Sequence, residues 1–322
     1  MIRATQYMLL ALVIVASLFL PGCNREDHTG SKKLQVVTTL FPLYDFARII
    51  AGDRADISML LPPGMEPHSF EPKPNDIVRV NKSGLFIYTN RYMEPWAESI
   101  LKGVDRQRLK VVDAGQGVGY ANSSPSDGHD HQTHNDRGVE LHAGGIDPHI
   151  WLDFANAEIM VNNILAGFVV SDPANAPVYK QNATTLKTAL VELDRRYRDA
   201  LASCATRTFL HGGHFTFGYL ARRYGLEYHS LSGVSSESEP SAAKMAAMVR
   251  QIKSSGVHYL FAEELLSPRL SNTLANESGV AVLMLHGAHN LGRDDMSRGI
   301  GFIELMEQNL KNLQKGLECT RK

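Results

Sequence analysis

From Leu34 to about Lys315, short runs rich in Val, Ile, Leu, Phe and Tyr alternate with segments of helical spacing. That alternation constrains the fold more than any other property of the chain, because strand-helix-strand units close into parallel sheets flanked by helices. Strands are predicted at 34–39, 57–61, 85–88 and 110–112, with helices at 42–51, 75–82, 96–102 and 154–169 between and after them. A second series follows: strands at 208–211, 227–229, 259–262 and 280–285, with helices at 215–224, 241–254, 268–278 and 295–315. Between the two series, helical spacing runs unbroken over 174–203 through Val178, Ala183, Leu186, Leu190, Leu193, Tyr197 and Leu201. A rod of about 30 residues reaches ~45 Å at 1.5 Å per residue, enough to join two lobes. The expected fold is therefore α/β: a first lobe over 34–170, a linking helix over 171–204 and a second lobe over 205–322.

Arg3 precedes an apolar run from Met8 to Leu20 that ends in Leu-Pro-Gly-Cys at Cys23. The run is too short, and too closely followed by Asn24-Arg25-Glu26-Asp27, to serve as a permanent span. It reads as a lipoprotein signal over 1–22, with Cys23 the lipid-bearing residue of a short tether over 23–33. The body is then expected outside the cytoplasm, in the periplasm or on the cell surface, held to a membrane through Cys23. No second apolar stretch is read as long enough to cross a membrane. A formal net charge of −1 over 322 residues argues against a nucleic-acid surface, which needs a concentrated basic face. With Cys23 assigned to lipid, Cys204 and Cys319 remain, and in an oxidising compartment they are expected to pair; two idle thiols are the alternative.

Three histidines sit just past predicted strands or at the start of a strand-helix connection. They are His68 in Glu-Pro-His-Ser-Phe-Glu-Pro, His149 in Asp-Pro-His-Ile-Trp-Leu-Asp and His214 in His-Phe-Thr-Phe-Gly-Tyr. Imidazole is the commonest protein ligand for borderline metals, so a fold that gathers these rings reads as a metal site. A loop over 121–145, with His129, His131, His134 and His142 and no apolar periodicity, cannot form a core and is read as a surface segment that traps zinc weakly or serves only as a linker.

Taken together with Glu-Pro-Ser at 239–241, these motifs stand in an order and spacing that resembles the solute-binding proteins of bacterial zinc and manganese ABC importers. The resemblance covers essentially the whole chain after the signal. It implies two α/β lobes joined by one long helix, one metal ion in the cleft, a membrane permease as partner and a monomeric receptor. Carried onto this sequence, it implies His68 and His149 as ligands from the first lobe and His214 from the second. The fourth family position follows the last strand and is usually acidic; here it reads Leu285-His286-Gly287. His286 is the expected fourth ligand, with Glu263 and His289 as alternatives.

Four imidazoles favour zinc over manganese, whose sites prefer carboxylate and water oxygen. Neutral rings leave the ion's charge uncompensated, which calls for nearby carboxylates, and Glu66, Asp147 and Glu263 are the candidates. His211, beside Gly212-Gly213, is read as strand-end packing. The competing class is a zinc hydrolase with three protein ligands and a general base such as Glu263. The chain has no His-Glu-x-x-His, no Gly-x-Ser-x-Gly, and the glycines of Gly115-Gln116-Gly117-Val118-Gly119 have the wrong spacing for a dinucleotide loop, so no enzymatic activity is expected.

Overall fold

The computed structural model describes residues 33–123, 145–234, 240–264 and 267–320. The expected signal, the tether up to residue 32 and the four loop histidines lie outside the described residues. The first lobe is built from β1 (Leu34–Thr38), α1 (Phe41–Ala51), β2 (Ala55–Met59), α2 (Pro74–Lys82), β3 (Leu85–Tyr88), α3 (Ala97–Lys102), β4 (Lys110–Asp113) and α4 (Phe154–Ser171). Its four strands pair in parallel in the order β2-β1-β3-β4. After α5 (Ala176–Leu201), the second lobe repeats the plan with β5 (Thr208–His211), α6 (Gly218–Tyr224), β6 (Glu227–Ser230), α7 (Ala242–Ser255), β7 (Tyr259–Glu263), α8 (Pro268–Ser278) and β8 (Ala281–Leu285). Its strands are also parallel, in the order β6-β5-β7-β8.

In each sheet the connections run one way from the first strand and then cross to its other side, which leaves a crevice at the carboxyl ends of β1 and β3 and again of β5 and β7. Ligands of open parallel sheets collect at such reversal points.

α5 is the helix expected to join the lobes. Tyr179, Ala183, Leu186, Leu190, Leu193, Tyr197 and Leu201 recur every three or four residues and form its buried stripe. This stripe packs against α1 and α4 of the first lobe and against α6 and α10 (Phe302–Gly316) of the second. Each fully buried Leu contributes ~1.5–3 kcal/mol. One continuous core thus runs along both lobes, and a smaller one, which includes Leu210, Met248, Ile252, Leu260 and Leu274, lies under α7 and α8.

α4 is by length and composition apolar enough to cross a membrane, contrary to the expectation of no second such stretch. It is a core helix in this fold: Phe154, Ala157, Met160, Val161, Ile164 and Phe168 are fully buried. The helix expected over 295–315 is two helices, α9 (Arg293–Arg298) and α10. Gly299, at φ +70°, ends α9 in a left-handed turn. α10 then starts afresh, its Phe302 amide donating to Asp45 Oδ2 of α1 at 2.8 Å. The helix expected from Phe215 begins only at Gly218; before it, the Phe215 and Thr216 amides donate to Gly233 O and the Tyr228 hydroxyl. Cys204 and Cys319 are joined in a disulfide that closes the base of the second lobe.

Candidate metal centre

Four imidazoles meet in the cleft at the carboxyl ends of the two sheets. One ring nitrogen from each of His68, His149, His214 and His289 lies within 4.8 Å of the other three. Ring centroids are 5.4 Å apart for His68 and His149, 5.3 Å for His68 and His214, and 5.0 Å for His149 and His289. A tetrahedral cation with Zn–N distances of ~2.0–2.1 Å needs donors spaced on about this scale. His149, His214 and His289 are buried, and His68 is the most accessible of the four.

His68 stands in the long connection after β2. Its neighbour Glu66 accepts the Ser69 amide at 3.0 Å, which shapes the turn, and its negative charge acts on the His68 ring. His149 follows the cis-free Asp147-Pro148 step and opens a 3₁₀ turn over Ile150–Leu152. Asp147 Oδ1 accepts both the His149 amide at 3.0 Å and its Nδ1 proton at 2.8 Å, which turns Nε2 into the cleft. His149 Nε2 lies 3.3 Å from His68 Nε2.

His214 leaves β5 through Gly212-Gly213 and is held by Glu263 at the end of β7. The carboxylate accepts its amide at 2.9 Å and its Nδ1 proton at 2.8 Å. A Cβ on Gly213 would collide with this carboxylate, so the glycine is what lets Glu263 reach the ring. Glu263 therefore stands behind a ring and not among the four donors. His211 packs against Phe217 and points Nδ1 at the His214 carbonyl oxygen at 3.1 Å and at the Tyr228 hydroxyl at 3.2 Å, the packing position expected of it.

The histidine that the structure brings to this group from the segment after β8 is His289, and His286 lies outside it. Asn309 of α10 grips the His286 backbone from both sides, its Oδ1 accepting the amide at 2.7 Å and its Nδ2 donating to the carbonyl oxygen at 2.8 Å. The His286 ring folds back on its own loop: Nδ1 accepts the Ala288 amide at 2.9 Å and lies 3.0 Å from Glu264 Oε1. Ala288 takes φ +55°, a conformation a side chain resists, and this turn sends the next residue into the cleft. His289 is then locked to the first lobe, its carbonyl oxygen accepting the otherwise free Phe41 amide at the start of α1 at 3.1 Å. Asn290 Nδ2 donates to Pro62 O at 2.7 Å and Met65 O at 2.9 Å, and the Gly64 amide donates to Leu291 O at 2.7 Å. His289 thus belongs to the second lobe by sequence and to the first by attachment.

Burial disfavours the charged form of His68, His149 and His289, and the neutral ring is the form that binds a metal. Desolvation, and then the nearness of His214, push His68 down to about 4; burial drives His149 and His289 well below the ordinary imidazole range. Burial likewise lowers His286 and His211 to about 4. Of the two carboxylates behind the rings, Asp147 is pushed up to about 7 by burial. Burial acts on Glu263 in the same sense, but the charge and hydrogen bonds of His214 outweigh it and hold Glu263 below its usual value. Glu264, next to Glu263, rises to about 8 by burial and like-charge repulsion.

Two parallel-sheet lobes on one linking helix, with a buried cluster of imidazoles between them, define a solute receptor for a metal cation. The family described as zinc-uptake complex component A, periplasmic (ZnuA), matches residues 36–316, and the chain belongs to it. It is 34% identical over 313 residues to the high-affinity zinc uptake system protein ZnuA of Bacillus subtilis, covering 95% of this chain and 97% of that one. It is 32% identical over 306 residues to the zinc-binding lipoprotein AdcA of Streptococcus pneumoniae, covering 95% of this chain but only 60% of that longer protein. The crystal structure of the Zn(II)-bound ZnuA-like domain of AdcA superposes with a TM-score of 0.73 at 31% identity, covering 89% of this chain and 99% of that domain.

Proposed function

We propose that this protein captures one zinc ion with His68, His149, His214 and His289 and hands it to the permease of an ABC importer. The observation that carries this reading is the convergence of four ring nitrogens, from segments far apart in the chain, within 4.8 Å of one another. Neutral imidazoles suit zinc, whereas manganese favours oxygen donors that this set lacks. Asp147 and Glu263 fix the tautomers of His149 and His214 and offset the two positive charges of the cargo. Four protein donors close a tetrahedron, an arrangement suited to holding an ion for transport. Lipidation at Cys23 would keep the receptor at the membrane beside its permease.

The test is metal content and affinity of the purified protein with single substitutions. Wild-type protein is expected to hold one zinc tightly. His289→Ala should weaken binding by more than about 100-fold, and His286→Ala by less than about tenfold, since His286 acts only on the loop behind. A tight site that survives His289→Ala and is lost in His286→Ala would reverse the assignment of the fourth ligand. Zinc retained by both His68→Ala and His149→Ala would defeat the whole reading.

A further inference from the structure

Thr216 stands two residues after His214, fully buried, with its hydroxyl 2.9 Å from His214 Nε2. The direction of that hydrogen bond follows from the other side of the ring. In the neutral ring, the form that can bind a metal, Nδ1 donates to the Glu263 carboxylate, so Nε2 carries the lone pair and the hydroxyl is the donor. This is the same lone pair that a cation bound by His214 from the cleft would use. Zinc at ~2.0–2.1 Å from Nε2 and a hydroxyl proton cannot share it.

We propose that the Thr216 hydroxyl caps His214 Nε2 when no cation is bound and, by competing for that lone pair, sets how tightly and how long the site keeps zinc. This rests on the zinc-capture reading above. Thr216 is a positioning residue that acts through His214. When zinc arrives, the hydroxyl has two other acceptors in reach, the His214 carbonyl oxygen at 3.4 Å and Glu263 Oε2 at 3.5 Å. Both are longer than the bond given up, so the exchange favours the zinc-free state while leaving no donor stranded. His149 Nε2, 3.3 Å from His68 Nε2, is partnered within the cluster in the same manner. A receptor that must release its cargo gains from such a partner, because the donors it leaves behind are satisfied at once.

The experiment compares wild type, Thr216→Ala and Thr216→Ser for zinc affinity by chelator competition and for zinc release by stopped flow. Thr216→Ala leaves Nε2 uncapped in the zinc-free protein and should tighten binding about tenfold, with most of the change in slower release. Thr216→Ser restores the donor and should return both quantities to within about twofold of wild type. Equal affinity and release in wild type and Thr216→Ala, weaker binding in Thr216→Ala, or a Thr216→Ser protein that behaves like Thr216→Ala would each overturn the proposal. In the wild-type chain, where folding is not at issue, the His214 Nε2 nitrogen-15 resonance of the zinc-free form should show a hydrogen-bonded acceptor, and a bare lone pair would overturn the proposal. Wild-type protein that binds no zinc would count against the zinc-capture reading as well, whereas one bound zinc with unaltered release in Thr216→Ala would sink this inference alone.

Discussion

Trp151 donates its indole N–H to the carbonyl oxygen of Gly287 at 2.8 Å, a bond between the segment that carries His149 and the loop that carries His289. The Trp151 ring also packs edge-on against both imidazoles, with centroids 5.5 Å from His149 and 5.3 Å from His289. One fully buried side chain therefore registers two members of the site against each other.

Trp151→Phe keeps much of the ring contact and strands the Gly287 carbonyl. The expected cost is ~1–3 kcal/mol of stability, read by denaturant unfolding, together with several-fold weaker zinc binding. Unchanged zinc affinity would show that His289 needs no help from this bond.

The low values of the site imidazoles fix the response to acid. Because His68 sits near 4, and burial holds His149 and His289 well below the ordinary imidazole range, zinc displaces few protons from these three rings between pH 7 and pH 5. Affinity measured by competition should fall by less than about tenfold over that interval, and steeply once the pH approaches 4. The same rings affect the fold. His68 is at about 4 when folded and 6.5 when unfolded, so its contribution to stability is complete above pH 6.5 and is lost as the pH falls through that window towards 4. Glu94, raised to about 7 by burial, acts in the opposite sense, stabilising most at low pH and less as the pH rises from 4.5 through 7. Melting curves of zinc-free His68→Ala should accordingly lose less stability between pH 6.5 and pH 4 than those of wild type.

Glu263→Gln preserves the shape behind His214 and removes a negative charge. Zinc affinity should drop ~10–100-fold with stoichiometry still one, as measured by titration against a fluorescent chelator. An effect smaller than twofold would mean that the charge behind the ring is not used.

The Cys204–Cys319 bond spans 115 residues of sequence. Removing it with Cys319→Ser should cost about 2–5 kcal/mol of stability without altering zinc stoichiometry, because the bond lies at the base of the lobe, remote from the cluster. Calorimetric melts with and without reductant provide the measurement.

Much of this architecture is legible in the residues themselves. β3 is a four-residue apolar run, Leu85–Tyr88, that follows Ser83-Gly84, and α8 is bracketed by Ser267-Pro268 and Gly279, so local signals alone fix both elements. The stripe of α5 is equally local. The choice between His286 and His289 is not, since only two residues separate them and both follow the same strand. It is made by Asn309 and Glu264, distant in sequence, and by a positive φ at an alanine, which nothing in the sequence announces. The break between α9 and α10 had a visible sign in Gly299-Ile300-Gly301, but the helical periodicity on either side masked it. The role of Thr216 was hidden in the helix predicted from Phe215, where its hydroxyl would not have been free to reach a ring.

With the sulfurs of residues 204 and 319 joined, the backbone enters and leaves the far half of the molecule through a single gate. Tension applied beyond residue 319 would therefore travel straight into the linking rod and bypass the four strands between. The half that presents His214 is, along its covalent chain, a closed ring, protected from unravelling at its own hem.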